Sequence, residues 1–380
     1  MAVSKQINGY LQDSGIDLFI TYPCAKIRRL LALVKKDFFT VSVTKEEEGV
    51  GICAGVALAG KKPGMLIQST GLGNMINALC SLTLTYQLPL LILASWRGVY
   101  EEEISAQIPL GKRLPQILQA TGLGCHIIDA ESDLSLISDI AEESYATNSP
   151  QVILLSPQLW VNEPSLQEPE ISAIDIVTKK IKSSKSLKRQ FTRYEILQQV
   201  HPFLDKKLVI SNIGFPSREL YEVHHQPSNF YMLGSLGLAS SIGLGVAMFT
   251  SRQVMVIDGD GSLLANLGTL ATIAQVAPEN LTILAIDNGV HGSTGNQPTP
   301  TSTNVDLSLS ARALGIQNVF STGDRDELTK IISSLSGGPN FVHIAASPGN
   351  QSTKSIPLSP VQIKNSFQKE MRSDQRKVPV

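Results

Sequence analysis

The sequence predicts an α/β protein of two domains, each a mainly parallel sheet flanked by helices, with no third domain between them. Three observations predict it. Short apolar runs alternate with helix-like stretches in both halves, the pattern of a parallel sheet with covering helices. A polar, charge-rich stretch interrupts that alternation once, near the middle. The 380 residues are 42% apolar and 17% charged, with 29 glycines and 20 prolines, which suits a globular chain with many strand–helix turns and not a disordered or collagen-like one.

In the first half, strands are expected at 18–22, 39–43, 64–68, 88–94, 126–128 and 151–155. Helical spacing of small and apolar residues marks 47–59 and 75–86 between them. These elements complete one domain over 1–165. The stretches VNEPSLQEPE and KKIKSSKSLKRQ follow. Their prolines and charges predict a solvated linker over 166–190. Strands resume at 208–212, 253–257, 282–287 and 341–345, and from Asn350 a short helix and polar tail close a second domain over 191–380.

Several function classes are excluded at this level. Lys and Arg number 32 against 33 Asp and Glu, a formal charge of −1, so no nucleic-acid surface is expected. Cys24, Cys53, Cys80 and Cys125 form no CxxC pair, and free buried thiols are expected in place of a zinc site or disulfides. The first residues, MAVSKQINGYLQDSG, lack the apolar core of a signal peptide. Apolar runs such as 88–94 are too short to cross a bilayer. A cytoplasmic protein with no membrane partner is expected, its low charged fraction hinting at surface buried between subunits.

The chemistry concentrates in residues 254–304. An apolar run ends at Ile257 and delivers Asp258-Gly259-Asp260-Gly261-Ser262, and a second run ends at Asp287-Asn288-Gly289. The carboxyl ends of parallel strands face the ligand crevice, which sets Asp260 beside Asn288. One carboxylate and one amide oxygen suit Mg²⁺, which takes few protein ligands and completes its shell with phosphate oxygens and water. Gly261 lets backbone approach a phosphate, and Ser262 would open a helix whose N-terminus favours anions. Either GDG or DNG alone is a common turn; it is their spacing on successive strand ends that carries information.

Together they resemble the diphosphate-binding signature of thiamine-diphosphate enzymes, GDG followed by Asn-Asn, with Asp287 here in the place of the first Asn. The resemblance implies two thiamine-diphosphate-binding-fold domains and the cofactors thiamine diphosphate and Mg²⁺. Asp260 and Asn288 would ligate the metal by side chain and Val290 by its carbonyl, with Gly259, Gly261 and Ser262 at the diphosphate. A second match is Gly234-Ser235-Leu236-Gly237. Leu236 would wedge between the cofactor rings, the Gly234 carbonyl would accept from the aminopyrimidine, and Ser235 would lie near the diphosphate. On composition alone this glycine-rich segment is equally a helix-packing face.

The family also requires a buried glutamate facing the aminopyrimidine, and Thr44-Lys45-Glu46-Glu47-Glu48-Gly49 offers three. Acids in a first helical turn complement the helix dipole by about 0.3–1 kcal/mol each, so not all need a chemical role. The family spacing, a Glu nine residues before a helix-packing Gly (here Gly55), selects Glu46, with Glu47 as the alternative. Gly71 and Asn74, in Ser69-Thr70-Gly71-Leu72-Gly73-Asn74, would approach the substrate. In this family the cofactor lies between the first domain of one subunit and the second of its neighbour, which implies a homo-oligomer with active sites at subunit interfaces.

The two-domain plan resembles the sulfopyruvate and phosphonopyruvate decarboxylases. EEEGVGICAGVALAGKKPGMLIQSTGLGNMINALCSL, LPLLILASWRG, FPSRELY and FYMLGSLGLASSIGLG carry the likeness. The first half looks like the α chain and the second like the β chain of two-chain members, fused. The implied reaction removes CO₂ from 3-sulfopyruvate to give sulfoacetaldehyde, in coenzyme M biosynthesis, with phosphonopyruvate as the competing substrate. A dianionic substrate needs cationic or amide partners. Arg97, Arg218 and Gln107 are the candidates; ion pairs of Arg97 with Glu101 or Glu102, and of Arg218 with Glu222, are the structural alternatives. His291 is better placed than His224 or His225 to donate a proton. A non-catalytic protein of the same fold is the rival from another class. A NAD-linked Rossmann enzyme is not supported, since no GxGxxG follows a first strand.

Overall fold

The computed structural model describes residues 2–161 and 187–375. The expected linker at 166–190 therefore lies outside the described residues up to 186. The first domain holds β1 (Leu18–Thr21), β2 (Thr40–Ser42), β3 (Pro63–Gln68), β4 (Leu90–Ser95), β5 (Gly124–Ile128) and β6 (Pro150–Leu155). They form one parallel sheet in the order β2-β1-β3-β4-β6-β5. Helices cover both faces, so the central strands β4 and β6 are buried along their whole length. That is why they read as unbroken apolar runs and not as alternating ones.

The second domain repeats the plan with β7 (Leu208–Ser211), β8 (Asn229–Tyr231), β9 (Val254–Gly259) and β10 (Leu281–Asp287). A small antiparallel hairpin follows, β11 (Val290–His291) with β12 (Gln297–Pro298), and then β13 (Asn318–Thr322) and β14 (Asn340–Ala345). The six longer strands make a parallel sheet in the order β13-β14-β10-β9-β7-β8. Its two edges, β8 and β13, are the strands the sequence pattern does not announce. They are short, and β13 is only partly buried, so neither needs the apolar run of a central strand.

The two domains meet through the helices Glu46–Leu58 and Ala239–Ala247. Both are buried on nearly every side, as expected of helices that are apolar all round. Glycines bring their backbones into contact: a Cβ on Gly55 would strike the Ile242 carbonyl and stand 2.8 Å from Gly245 Cα and Val246 N. One apolar core runs from the first sheet, through this crossing, into the second. The C-terminal segment departs from the short helix expected there. Pro360–Gln375 is a helix of 16 residues, and it docks Ile363, Phe367 and Met371 into the shared core. Its Lys364 and Gln368 donate to the carbonyls of Gln87 and Ala57 in the first domain.

Among the described residues no helix is long and apolar enough to cross a membrane. All four cysteines are free; Cys24 and Cys53 are buried, while Cys80 and Cys125 are partly exposed.

Candidate active site

The three acids at the start of the Glu46–Leu58 helix point three ways. Glu47 pairs with Lys45 at 2.6 Å. Glu48 turns back to accept from the Thr44 amide at 3.0 Å and hydroxyl at 2.7 Å, closing the helix start. Glu46 is buried, 7% exposed, and lies against Gly71, where any side chain would sit 2.5 Å from Glu46 Cγ. Asn74 donates to Glu46 Oε2 at 3.3 Å. Thus Glu46, Gly71 and Asn74 come together, and Gly71 is glycine because the glutamate occupies its side-chain space.

The loop 234–237 approaches from the second domain. Ser235 holds a left-handed conformation (φ 62), and its Oγ meets Ser81 Oγ of the first domain at 2.6 Å. Tyr86 reinforces this junction: its hydroxyl donates to the Tyr231 carbonyl and accepts from the Leu233 amide, both at 2.8 Å. Gly237 N–H donates to Ser262 Oγ at 3.2 Å. Leu236 projects outward, 43% exposed, an apolar side chain left uncovered at the cleft.

Asp260 and Asn288 occupy neighbouring strand ends, as β9 and β10 are paired, and both are buried. The helix there starts at Asp260, two residues before the expected Ser262, and spans Asp260–Ala265. Burial pushes the Asp260 carboxyl up, partly offset by hydrogen bonds from Thr299 and Thr301. Asn288 Oδ1 accepts from Val290 N–H at 3.2 Å. The His291 ring lies over Gly261, so a Cβ there would be 2.7 Å from Nδ1. Asp260, Asn288, Val290, His291, Leu236 and Gly259–Ser262 line a common cavity. Asp258, just ahead of the turn, is fully buried; burial raises its pKa, and Ser240 and the Gly259 amide bind its two oxygens.

Among the described residues no three His, Cys, Asp or Glu side chains converge on one point. One buried carboxylate beside one amide, in a glycine-lined cavity, instead fits Mg²⁺ that arrives with a diphosphate. Glu46 fits the remaining requirement, a buried carboxylate that accepts from Asn74 through Oε2.

The remaining candidates are dispersed. Arg97 is buried and binds Glu102 by two bonds, 2.7 and 2.9 Å. The pairing with Glu102 is thus formed, with both side chains largely covered, and its hydrogen bonds pull the Glu102 carboxyl down to about 2. Nη1 of Arg97 also donates to Gln68 at 3.2 Å. Gln107 is partly buried, and its Oε1 has no hydrogen-bond partner. Arg218 is exposed and lies over the Phe215 ring, while Glu222 accepts from Tyr194. His224 faces Asp205, and His225 faces Tyr231, away from the cavity. Residues not anticipated from sequence are Ser81, Thr299, Thr301, Arg189 and His343. The last two flank Asp287, which burial would raise but which His343, Thr301 and Arg189 hold below the usual carboxylate range.

This fold and cleft are those of a thiamine-diphosphate enzyme. Residues 1–120 match the N-terminal thiamine pyrophosphate binding domain of thiamine pyrophosphate enzymes, and residues 213–345 match their C-terminal thiamine pyrophosphate binding domain. The chain is 42% identical over 367 residues to a sulfopyruvate decarboxylase of Methanosarcina acetivorans, covering 94% of each. It is 34% identical to a phosphonopyruvate decarboxylase of Streptomyces viridochromogenes, covering 94% of this chain and 92% of that one. Its halves are similar to separate proteins of Methanococcus maripaludis: sulfopyruvate decarboxylase subunit alpha, 37% identical over 99% of that protein, and subunit beta, 42% over 96%. A thiamine diphosphate-dependent 4-hydroxybenzoylformate decarboxylase of Rhodococcus jostii shares the fold, with a TM-score of 0.72 at 13% identity, covering 93% of this chain and all of that one. The chain therefore belongs to the thiamine pyrophosphate enzymes, in the family of the sulfopyruvate decarboxylases, with α-like and β-like parts fused.

Proposed function

We propose that the protein decarboxylates 3-sulfopyruvate to sulfoacetaldehyde and CO₂, using thiamine diphosphate and Mg²⁺, in coenzyme M biosynthesis in the cytoplasm. The observation that carries this reading is the 42% identity to a sulfopyruvate decarboxylase across 94% of both chains. The site chemistry supports it. Asp260 and Asn288 would hold Mg²⁺ by side chain and Val290 by its carbonyl, with Gly234, Ser235, Gly259, Gly261 and Ser262 around the diphosphate and Leu236 against the rings. When bound, thiamine diphosphate supplies the electron sink for the pair released with CO₂.

The chain's part is to bind, orient and move protons. Glu46 would hydrogen-bond the aminopyrimidine, its burial and the Gly71 contact holding the carboxylate in one position. Gly71 and Asn74 border the substrate side of that carboxylate. Arg97 is the proposed cation for the sulfonate, through the Nη1 edge that Glu102 leaves to Gln68. Gln107 and Arg218 complete the proposed substrate contacts, and His291 is the proposed proton donor. Assembly into a homo-oligomer with sites at subunit interfaces belongs to the same reading.

The phosphonopyruvate decarboxylase of 34% identity favours a second reading, because both substrates carry a tetrahedral anion at the same distance from the keto acid. Initial rates on the two substrates, with cofactor and magnesium present, separate them. Faster turnover of 3-sulfopyruvate is expected, and faster turnover of phosphonopyruvate would overturn the assignment.

A further inference from the structure

Asp287 stands where the diphosphate signature has an amide, and a buried carboxylate requires partners that an amide does not. The structure supplies them. His343 Nε2 lies 2.9 Å from Asp287 Oδ2. On the other oxygen, Oδ1, converge the Thr301 hydroxyl at 2.7 Å, the Gly289 amide at 3.0 Å, and Nη1 and Nη2 of Arg189, both at 3.1 Å. Arg189 Nη1 also donates to the backbone carbonyls of Asp287 and Ala346. The guanidinium thus grips both the side chain and the backbone of the residue that opens the Asp287-Asn288-Gly289 turn.

Arg189 is itself held in place. Ser347 Oγ donates to its carbonyl at 2.8 Å, and the Ser347 amide donates to the Phe191 carbonyl at 2.7 Å. The end of the stretch expected to be a solvated linker is therefore docked along the second sheet, next to the end of β14. Thr301 connects the cluster to the proposed metal ligand, since its hydroxyl lies 3.1 Å from Asp260 Oδ2 as well as 2.7 Å from Asp287 Oδ1.

We propose that Arg189 is a positioning residue of the metal–diphosphate turn: by pairing with Asp287 it fixes the turn from which Asn288 and Val290 present their oxygens. The segment entering the second domain is then part of the cofactor site and not only a tether. This inference rests on the cofactor reading above. It also accounts for the acid in the signature, because Asp287 replaces a neutral amide by a carboxylate that Arg189 pairs at Oδ1 and His343 holds at Oδ2.

The test is calorimetric titration of thiamine diphosphate with magnesium chloride into cofactor-free protein, for the native chain, Arg189→Ala, Arg189→Lys, Asp287→Asn and the double variant Arg189→Ala/Asp287→Asn. Loss of hydrogen bonds to a charged group corresponds to about a ten- to hundredfold weakening for Arg189→Ala, with Arg189→Lys weakened less. Asp287→Asn, whose amide needs no cation, should bind within about threefold of native, and the double variant should regain part of what Arg189→Ala loses, the backbone contacts of Arg189 still being absent. Recovery by the second substitution is what a merely structural loss would not give. If Arg189→Ala fails to fold, Arg189→Lys with and without Asp287→Asn carries the same comparison. Unchanged binding in the Arg189 variants, or a double variant as weak as the single one, overturns the inference. Absence of saturable binding by the native chain overturns the cofactor reading instead.

Discussion

Gly55→Ala perturbs the contact that joins the two domains, and its sign can be worked out against a matched control. Alanine in a helix interior is favoured over glycine by about 1 kcal/mol, so the substitution should stabilise if nothing opposes it. At Gly9, inside the helix Val3–Asp13, nothing lies within 4 Å of an added Cβ, and Gly9→Ala should raise the thermal midpoint by that contribution. At Gly55 the new methyl would strike the Ile242 carbonyl and stand 2.8 Å from Gly245 Cα and Val246 N. All three obstacles are backbone, so no rotamer change relieves them, and the helices must separate by about 1 Å. Overpacking of this kind costs about 1–3 kcal/mol. With backbone on both sides the upper end applies, leaving Gly55→Ala less stable by about 2 kcal/mol. Thermal melting of both variants reads the result. Because a two-domain chain need not unfold in one step, the transition to follow is the first one, where the domains part. A Gly55→Ala protein that melts above the native one, as Gly9→Ala should, would refute the backbone-to-backbone crossing.

Two further predictions concern the carboxylates of the first domain. Glu46→Gln keeps the shape beside Gly71 and Asn74 but removes the carboxylate, so decarboxylation should fall by about 10²–10⁴-fold while calorimetric affinity for thiamine diphosphate stays near native; an unchanged rate would sink the assignment of Glu46. Glu102 has its pKa depressed to about 2 by hydrogen bonds from Arg97, so its contribution is present above the ordinary carboxylate range and is lost as pH falls toward 2. Urea midpoints between pH 5 and 2 should therefore fall more steeply for the native chain than for Glu102→Gln; parallel curves would show that the buried pair contributes nothing to folding.

What the sequence made legible was whatever is local. Central strands announce themselves because both faces are buried, and glycines adjoin both Asp260 and Asn288 in the sequence. Glu46 could be preferred over Glu47 by spacing, and the helix supplies the reason. Successive residues are rotated by about 100°, so only one of three consecutive acids can face Gly71. What was not legible depends on distant partners. His343 and Arg189 lie 56 and 98 positions from Asp287, and nothing in FVHIA or LKRQF marks them as its companions. Arg97 with Glu102 was readable as a pair, but its burial follows from where the chain folds over it. Edge strands β8 and β13 lack the apolar run that betrays a central strand.

The way the domains meet also changes how the low charged fraction is understood. A chain 17% charged invited the inference that its outer faces are covered by neighbouring subunits. Within a single chain, however, the helices Glu46–Leu58 and Ala239–Ala247 already bury one another, and the C-terminal helix adds Phe367 and Met371 to the same core. Much of the apolar content is thus used inside the polypeptide, at a junction between parts that relatives carry as separate subunits. Ser81 on Ser235, Tyr86 on Tyr231 and Leu233, and Lys364 on Gln87 fix that junction by polar bonds of defined direction, whereas the glycines fix its spacing. Joining the parts in one chain makes their encounter intramolecular. The interface need not supply the affinity that two free chains would require. Its demand is geometric: the two domains must keep a fixed spacing, and backbone-to-backbone packing at Gly55 is the contact least able to drift.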